Sequence, residues 1–166
     1  MRGKAILIGA LALAASASVA REGKMMFRDL DERVMVSPQI AADDIAAAKA
    51  QGVTLIVNNR PDGEAPDEPQ GAEIEAAATA AGLDYVAIPV GHGGFAATQV
   101  DAMAAALTGT KGKTLAYCRS GTRSTLLWSL ARAKLGDAPD ALKAKANTAG
   151  YDLTPVAALL GMFYKK

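Results

Sequence analysis

Thr114-Leu115-Ala116-Tyr117-Cys118-Arg119-Ser120-Gly121-Thr122-Arg123-Ser124 changes character twice. It begins as a β-prone apolar run and turns through a polar loop with one glycine. From Ser124 to Leu135 the composition is strongly helical. Strand, tight loop and helix in immediate succession form the repeating unit of an α/β fold.

The same alternation runs outward from this stretch. Val34-Met35-Val36 reads as a short strand, Ser37-Pro38 as a turn, and Ala41 to Gln51 as a helix closed by Gly52. Val53-Thr54-Leu55-Ile56-Val57 has the near-continuous apolar, β-branched character of a strand covered on both faces. Asn58 to Gln70 is rich in Pro, Asp and Gly and reads as a long loop. A helix over residues 71–81 ends at Gly82, and Tyr85-Val86-Ala87-Ile88 follows as a strand. Beyond the loop Pro89 to Gly94, Thr98 is the expected cap of a helix running to about Leu107. Asp140 to Ala149 and Pro155 to Leu160 complete a helical C-terminus. This order predicts one α/β domain over residues 25–166, its sheet mostly parallel and flanked by helices.

Composition narrows the function. Hydrophobic residues make up 51% of the 166-residue chain and charged residues 21%, so a folded core is expected. A formal net charge of +1 gives no electrostatic reason to expect a nucleic-acid partner. One cysteine excludes an intrachain disulfide, and one histidine excludes the usual Cys/His zinc cluster. No metal or organic cofactor is implied.

Residues 1–20 read differently from the rest. A basic start (Arg2, Lys4), an apolar run from Ala5 to Ala15, and the small residues of Ser18-Val19-Ala20 have the layout of a secretory signal peptide. The apolar run is shorter than the ~20 residues of a membrane span. The expectation is therefore an exported, periplasmic protein with no stable membrane insertion after cleavage; an uncleaved anchor or amphiphilic helix is the alternative.

Chemistry concentrates at Cys118 to Ser124. In open α/β sheets, ligands bind beyond the carboxyl ends of the strands. Loop amides there, with the positive end of the following helix, form a cradle for an anion. Gly121 lets the backbone curl, and Arg123 offers a fork of donors to an oxyanion. A cysteine among these charges is favoured as a nucleophile suited to covalent transfer of an anionic group. A buried structural cysteine is the plainer reading, but it needs no glycine loop with two arginines beside it.

At this point the chain resembles a phosphatase-like domain family that occurs alone or fused to β-lactamase-like hydrolases. The resemblance rests on Val57 to Glu64, Tyr85 to Val90 and Tyr117 to Ser124, and spans about Phe27 to Leu135. It implies a protein tyrosine phosphatase-like fold. It also implies hydrolysis of phosphate monoesters through a covalent Cys118 intermediate, with Arg123 as clamp and Ser124 assisting the sulfur as leaving group. Arg119, Ser120, Gly121 and Thr122 would then line the anion-binding loop. Three features depart from the tyrosine phosphatases: four residues rather than five separate Cys118 from Arg123, Tyr117 replaces their histidine, and His92 stands in the loop of their acidic aspartate. The Cys-Arg-Ser-Gly-Thr-Arg loop is also similar to that of rhodanese-type sulfurtransferases, which implies a Cys118 persulfide as the alternative. The expected partner is accordingly a small phosphorylated substrate or a sulfane-sulfur donor.

Further candidates lie outside the cysteine loop. His92, among glycines, is a general acid or an exposed loop histidine. Asp62 or Glu64 is a substitute acid, or Asp62 belongs to a Pro-Asp-Gly turn. Arg60 is expected to hold a second charge of the substrate. Trp128 is expected in the core.

Overall fold

The reading of Val53 to Val57 as a strand covered on both sides follows from its side chains, since alternate residues of a strand face opposite ways. In the computed structural model, which describes residues 27–164, Val53, Leu55, Ile56 and Val57 are all buried. The segment 1–20 lies outside the described residues.

Five strands form the sheet: β1 (Arg28–Asp29), β2 (Val34–Ser37), β3 (Val53–Asn58), β4 (Asp84–Ala87) and β5 (Lys113–Tyr117). Their spatial order is β1-β2-β5-β3-β4. β5 is central and pairs in parallel with β2 and β3, and β3 pairs in parallel with β4. Only β1 is antiparallel, matching Arg28 with Val36 and Asp29 with Met35. The sheet is thus mostly parallel as expected, with one short edge strand that the sequence pattern did not announce.

Among the described residues there are six helices: α1 (Asp44–Ala50), α2 (Gly71–Ala80), α3 (Ala97–Gly109), α4 (Thr122–Lys134), α5 (Pro139–Thr148) and α6 (Ala157–Phe163). Ile45 and Ala48 of α1 and Ile74 and Ala78 of α2 pack on Met35, Ile56 and Leu115. On the other face Val100 and Met103 of α3 and Leu127 and Leu130 of α4 pack on Val36, Val57 and Ala116. Each fully buried Leu or Ile contributes roughly 1.5–3 kcal/mol. A register shift between Val53 and Leu55 places Val53 on the same face as Ile56, which simple alternation would forbid.

The path explains the two layers. From β2 through β3 to β4 the chain moves one way across the sheet, with α1 and α2 on one face; it then returns to β5, and α3 lies on the opposite face. Crossovers of a single hand require this change of side when direction reverses. The reversal opens a crevice at the carboxyl ends of β3 and β5.

Several boundaries differ from expectation. The helix expected from Ala41 starts at Asp44, whose Oδ2 accepts the Ala41 N–H at 2.8 Å and holds a preceding turn. Thr98 does not cap α3. The helix begins at Ala97, and Gln99 Oε1 reaches back to accept the Ala96 N–H at 2.8 Å, leaving Thr98 inside the first turn. The segment expected as one helix from Pro155 divides into a 3-10 turn, Thr154–Val156, and α6.

Candidate active site

Loops leave the carboxyl ends of four parallel strands side by side, and backbone bonds pin them together. The Asn59 N–H donates to the Tyr117 carbonyl at 2.8 Å, the Cys118 N–H to Ser37 at 3.4 Å, and the Val90 N–H to Asn59 at 3.0 Å. Cys118 follows β5 directly and is wholly buried at 0% exposure. Four residues later the chain is helical, so the turn must be tight. Gly121 makes it with φ of +87°, a left-handed conformation costly for other residues. Its N–H then points back and donates to Cys118 Sγ at 3.2 Å. Arg119, Ser120 and Thr122 form the exposed outer rim, where Ser120 Oγ accepts the Thr122 N–H at 3.4 Å.

Arg123, in the first turn of α4, returns over this loop. Its Nη1 and Nη2 donate to Glu64 Oε1 and Oε2 at 2.6 and 2.8 Å, and Nη1 also donates to the Val90 carbonyl at 2.6 Å. The bond to Glu64 raises the pKa of the guanidinium against the opposing effect of burial, and the nearby Cys118 adds to the rise. Glu64 itself is held down to about 2, first by Arg123, with burial opposing and Arg60 assisting. One side chain therefore ties the loop after β3, the loop after β4 and the cysteine loop into one unit.

Arg60 extends the charge row inward. It is 5% exposed, and its Nε donates to Glu64 at 3.0 Å while Nη1 donates to Gln39 at 2.9 Å and Glu68 at 2.8 Å. Burial disfavours its charge, but Glu68 and Glu64 outweigh that and raise its pKa. Arg60 is thus met by two carboxylates of its own loop. A charge buried this way is tolerable only when paired and hydrogen-bonded.

The remaining candidates are placed as follows. Asp62 Oδ1 accepts the Gly71 N–H at 2.7 Å, so this carboxylate caps the start of α2. His92 lies exposed on the loop after β4, two residues beyond the Val90 carbonyl that Arg123 holds. Ser124 is fully buried in the first turn of α4, and its hydroxyl has no hydrogen-bond partner. Trp128 is fully buried. Tyr117, beside the cysteine, is also buried, and burial above all raises the pKa of its phenol.

Two participants were not singled out in their roles by the sequence. Glu64 was legible only as a possible acid, whereas it anchors Arg123 across fifty-nine positions. Tyr151 carries no local signal of a site, yet its hydroxyl donates to the Ser120 carbonyl at 3.3 Å. Nothing local to either residue encodes such a long-range contact. Among the described residues no group of three or more His, Cys, Asp or Glu is placed to hold a metal ion. Nor is any helix among them long and apolar enough to cross a membrane.

A cysteine ending the central strand of a parallel sheet, with an arginine on the helix that follows, is the arrangement of the Cys-dependent phosphatase-like fold. Within that class the chain belongs to the family described as beta-lactamase hydrolase-like protein, phosphatase-like domain, whose model matches residues 26–135. It is similar to the beta-lactamase hydrolase-like protein of Xylella fastidiosa strain Temecula1, with 34% identity over 130 residues. That alignment takes in 78% of this chain but only 30% of the relative's length, so the chain spans less than a third of the curated relative it matches. Among solved structures, a candidate phosphatase from Neisseria meningitidis Z2491 superposes with a TM-score of 0.74 and 31% identity, covering 84% of this chain and 99% of that one. Tk-PTP in its active form shares the fold at 18% identity and a TM-score of 0.64, over 82% of this chain and 95% of that one.

Proposed function

We propose that the chain hydrolyses phosphate monoesters through a phosphocysteine on Cys118. The observation that carries this reading is the meeting, at one loop, of the Cys118 sulfur, the Gly121 N–H aimed at it, and an Arg123 fork held by Glu64. The sulfur attacks phosphorus while the bond to the ester oxygen breaks. Loop amides and Arg123 take up the charge on the remaining oxygens. His92 gives a proton to the leaving oxygen. Water then attacks phosphorus and gives a proton back to His92, the P–S bond breaks, and the Ser124 hydroxyl supports the departing thiolate. Because Cys118 is shut off from solvent, entry of the substrate displaces side chains of the site. Purified protein with an aryl phosphate tests the reading: phosphate release that Cys118→Ser abolishes supports it, and no release sinks it.

A second reading has its own support. The cradle is short, with four residues between Cys118 and Arg123, and Asp62 is occupied at the head of α2. A terminal sulfur is smaller than a phosphoryl group and its transfer needs no carboxylic acid. In this reading the Cys118 thiolate takes the sulfane sulfur of thiosulfate, releasing sulfite, and cyanide removes it as thiocyanate. Thiocyanate production, with a mass gain of about 32 Da on Cys118 after thiosulfate, selects this reading over the first. Neither product, with anion binding retained, leaves a binding module without turnover.

We also propose that residues 1–20 direct export, so that the domain over 25–166 works in the periplasm. Cell fractionation of the full chain, with the N-terminus of the product sequenced, checks it; a cytoplasmic product that retains Met1 overturns it.

A further inference from the structure

The peptide unit joining Ser120 to Gly121 is held at both ends. Its N–H belongs to Gly121 and donates to Cys118 Sγ at 3.2 Å; its C=O belongs to Ser120 and accepts from the Tyr151 hydroxyl at 3.3 Å. In a planar trans peptide these two groups point in opposite directions. Fixing the carbonyl outward therefore fixes the amide inward. If the plane turned over, an oxygen would face the sulfur and repel an incoming anion.

Tyr151 is itself held firmly. It is 8% exposed, sits in the larger core cluster, and its N–H donates to Ala146 at 2.9 Å in the close of α5. The Arg28 guanidinium lies over its ring at 5.3 Å and is fixed in turn by the Ala149 carbonyl at 3.0 Å. A side-chain carbon on Gly121 would run into the Tyr151 hydroxyl, so the two residues are closely packed. Burial, chiefly, raises the pKa of this phenol, Arg28 opposes the rise and Cys118 adds to it, so the hydroxyl keeps its proton and remains a donor. The residue falls outside the segment 26–135 that the family model matches.

We infer that Tyr151 is a positioning residue of the site: through the Ser120 carbonyl it locks the Ser120–Gly121 peptide so that the amide faces Cys118. The C-terminal segment from α5 onward thus completes the anion cradle rather than merely thickening the helical layer. Its catalytic value rests on the phosphatase reading, but the orientation of the peptide does not depend on that reading. Loss of the hydroxyl should therefore free the peptide whether or not the chain turns over a phosphate ester.

The test is amide hydrogen exchange on the full chain, resolved at single residues, for Tyr151→Phe against the unaltered protein. One hydrogen bond of ordinary strength predicts exchange at the Gly121 N–H faster by roughly two- to tenfold, with Leu115 and Ala116 in β5 unchanged. An unchanged Gly121 rate in the folded variant overturns the proposal, and so does equal acceleration throughout β5. Tyr151→Met fills the same apolar space without a donor; it must reproduce the effect and replaces the phenylalanine variant if that does not fold. Aryl-phosphate kinetics on the same samples separate the two ideas. A faster Gly121 with a lower kcat supports both, while a faster Gly121 in a chain that hydrolyses nothing keeps the positioning role and removes the phosphatase.

Discussion

Glu64 grips Arg123 at both ends of its carboxylate, Oε1 accepting from Nη1 at 2.6 Å and Oε2 from Nη2 at 2.8 Å. Such parallel bonds fix direction as well as distance. The fork of Arg123 is therefore oriented before any anion arrives. The same carboxylate also accepts from Arg60, which Glu68 meets as well, so one residue links the two cations.

Replacing Glu64 by Gln keeps its size and removes its charge. The expected outcome is a fall of about 100-fold in kcat/KM on an aryl phosphate, as for other misplaced reacting groups. Denaturant titration should also show about 2–4 kcal/mol less stability, because Arg60 and Arg123 keep their charge with less to meet it. Unchanged kcat/KM in a folded Glu64→Gln protein would refute the orienting role.

Acid should act through the same group. The Glu64 pKa lies at about 2 in the folded protein against an ordinary 4.5. A carboxyl depressed on folding contributes stability that is complete above its unfolded pKa and is lost as pH falls through the folded one. The stability gap between the unaltered chain and Glu64→Gln should stay level above about pH 5 and close as pH falls from there toward 2. A gap that closes on the alkaline side instead contradicts the assignment.

Charge alone does not replace the arginine fork. Arg123→Lys keeps a cation but not two parallel donors plus a third bond to Val90. Steady-state kinetics should record a loss of about 100- to 1000-fold in kcat, comparable to deleting one donor of an oxyanion hole. Full activity in Arg123→Lys would mean that the clamp is elsewhere.

Gly121→Ala faces two obstacles. The position holds φ of +87°, and the new methyl meets the Tyr151 hydroxyl. A cost of about 1–3 kcal/mol is expected in denaturant titration. Combining it with Tyr151→Phe should restore only part of that loss, since the backbone strain and the crowding by the ring carbon Cζ remain. Complete restoration would assign the whole penalty to the collision.

The layers of this fold were readable because the strands are written in β-branched and apolar residues and each helix is separated by polar or glycine-rich punctuation. β1 escaped because two polar residues, Arg28 and Asp29, carry no periodicity; they are recruited by pairing with β2. The cap of α3 lies elsewhere than at Thr98 for a similar reason. Thr98 has the right chemistry, but the longer Gln99 side chain both accepts from Ala96 and donates to the Pro89 carbonyl at 2.7 Å, which fixes the helix start earlier. At the site, the cysteine loop announces itself through local order of residues. The contacts that Glu64 and Tyr151 make with it arise only after the chain has folded back, across separations that no spacing rule reaches.

The complete enclosure of Cys118 bears on which solutes reach its sulfur. Peroxide and soft metal ions consume thiolates they can touch. Here they meet the sulfur only when the surrounding side chains part. The lone cysteine of the chain is in this way screened from such solutes.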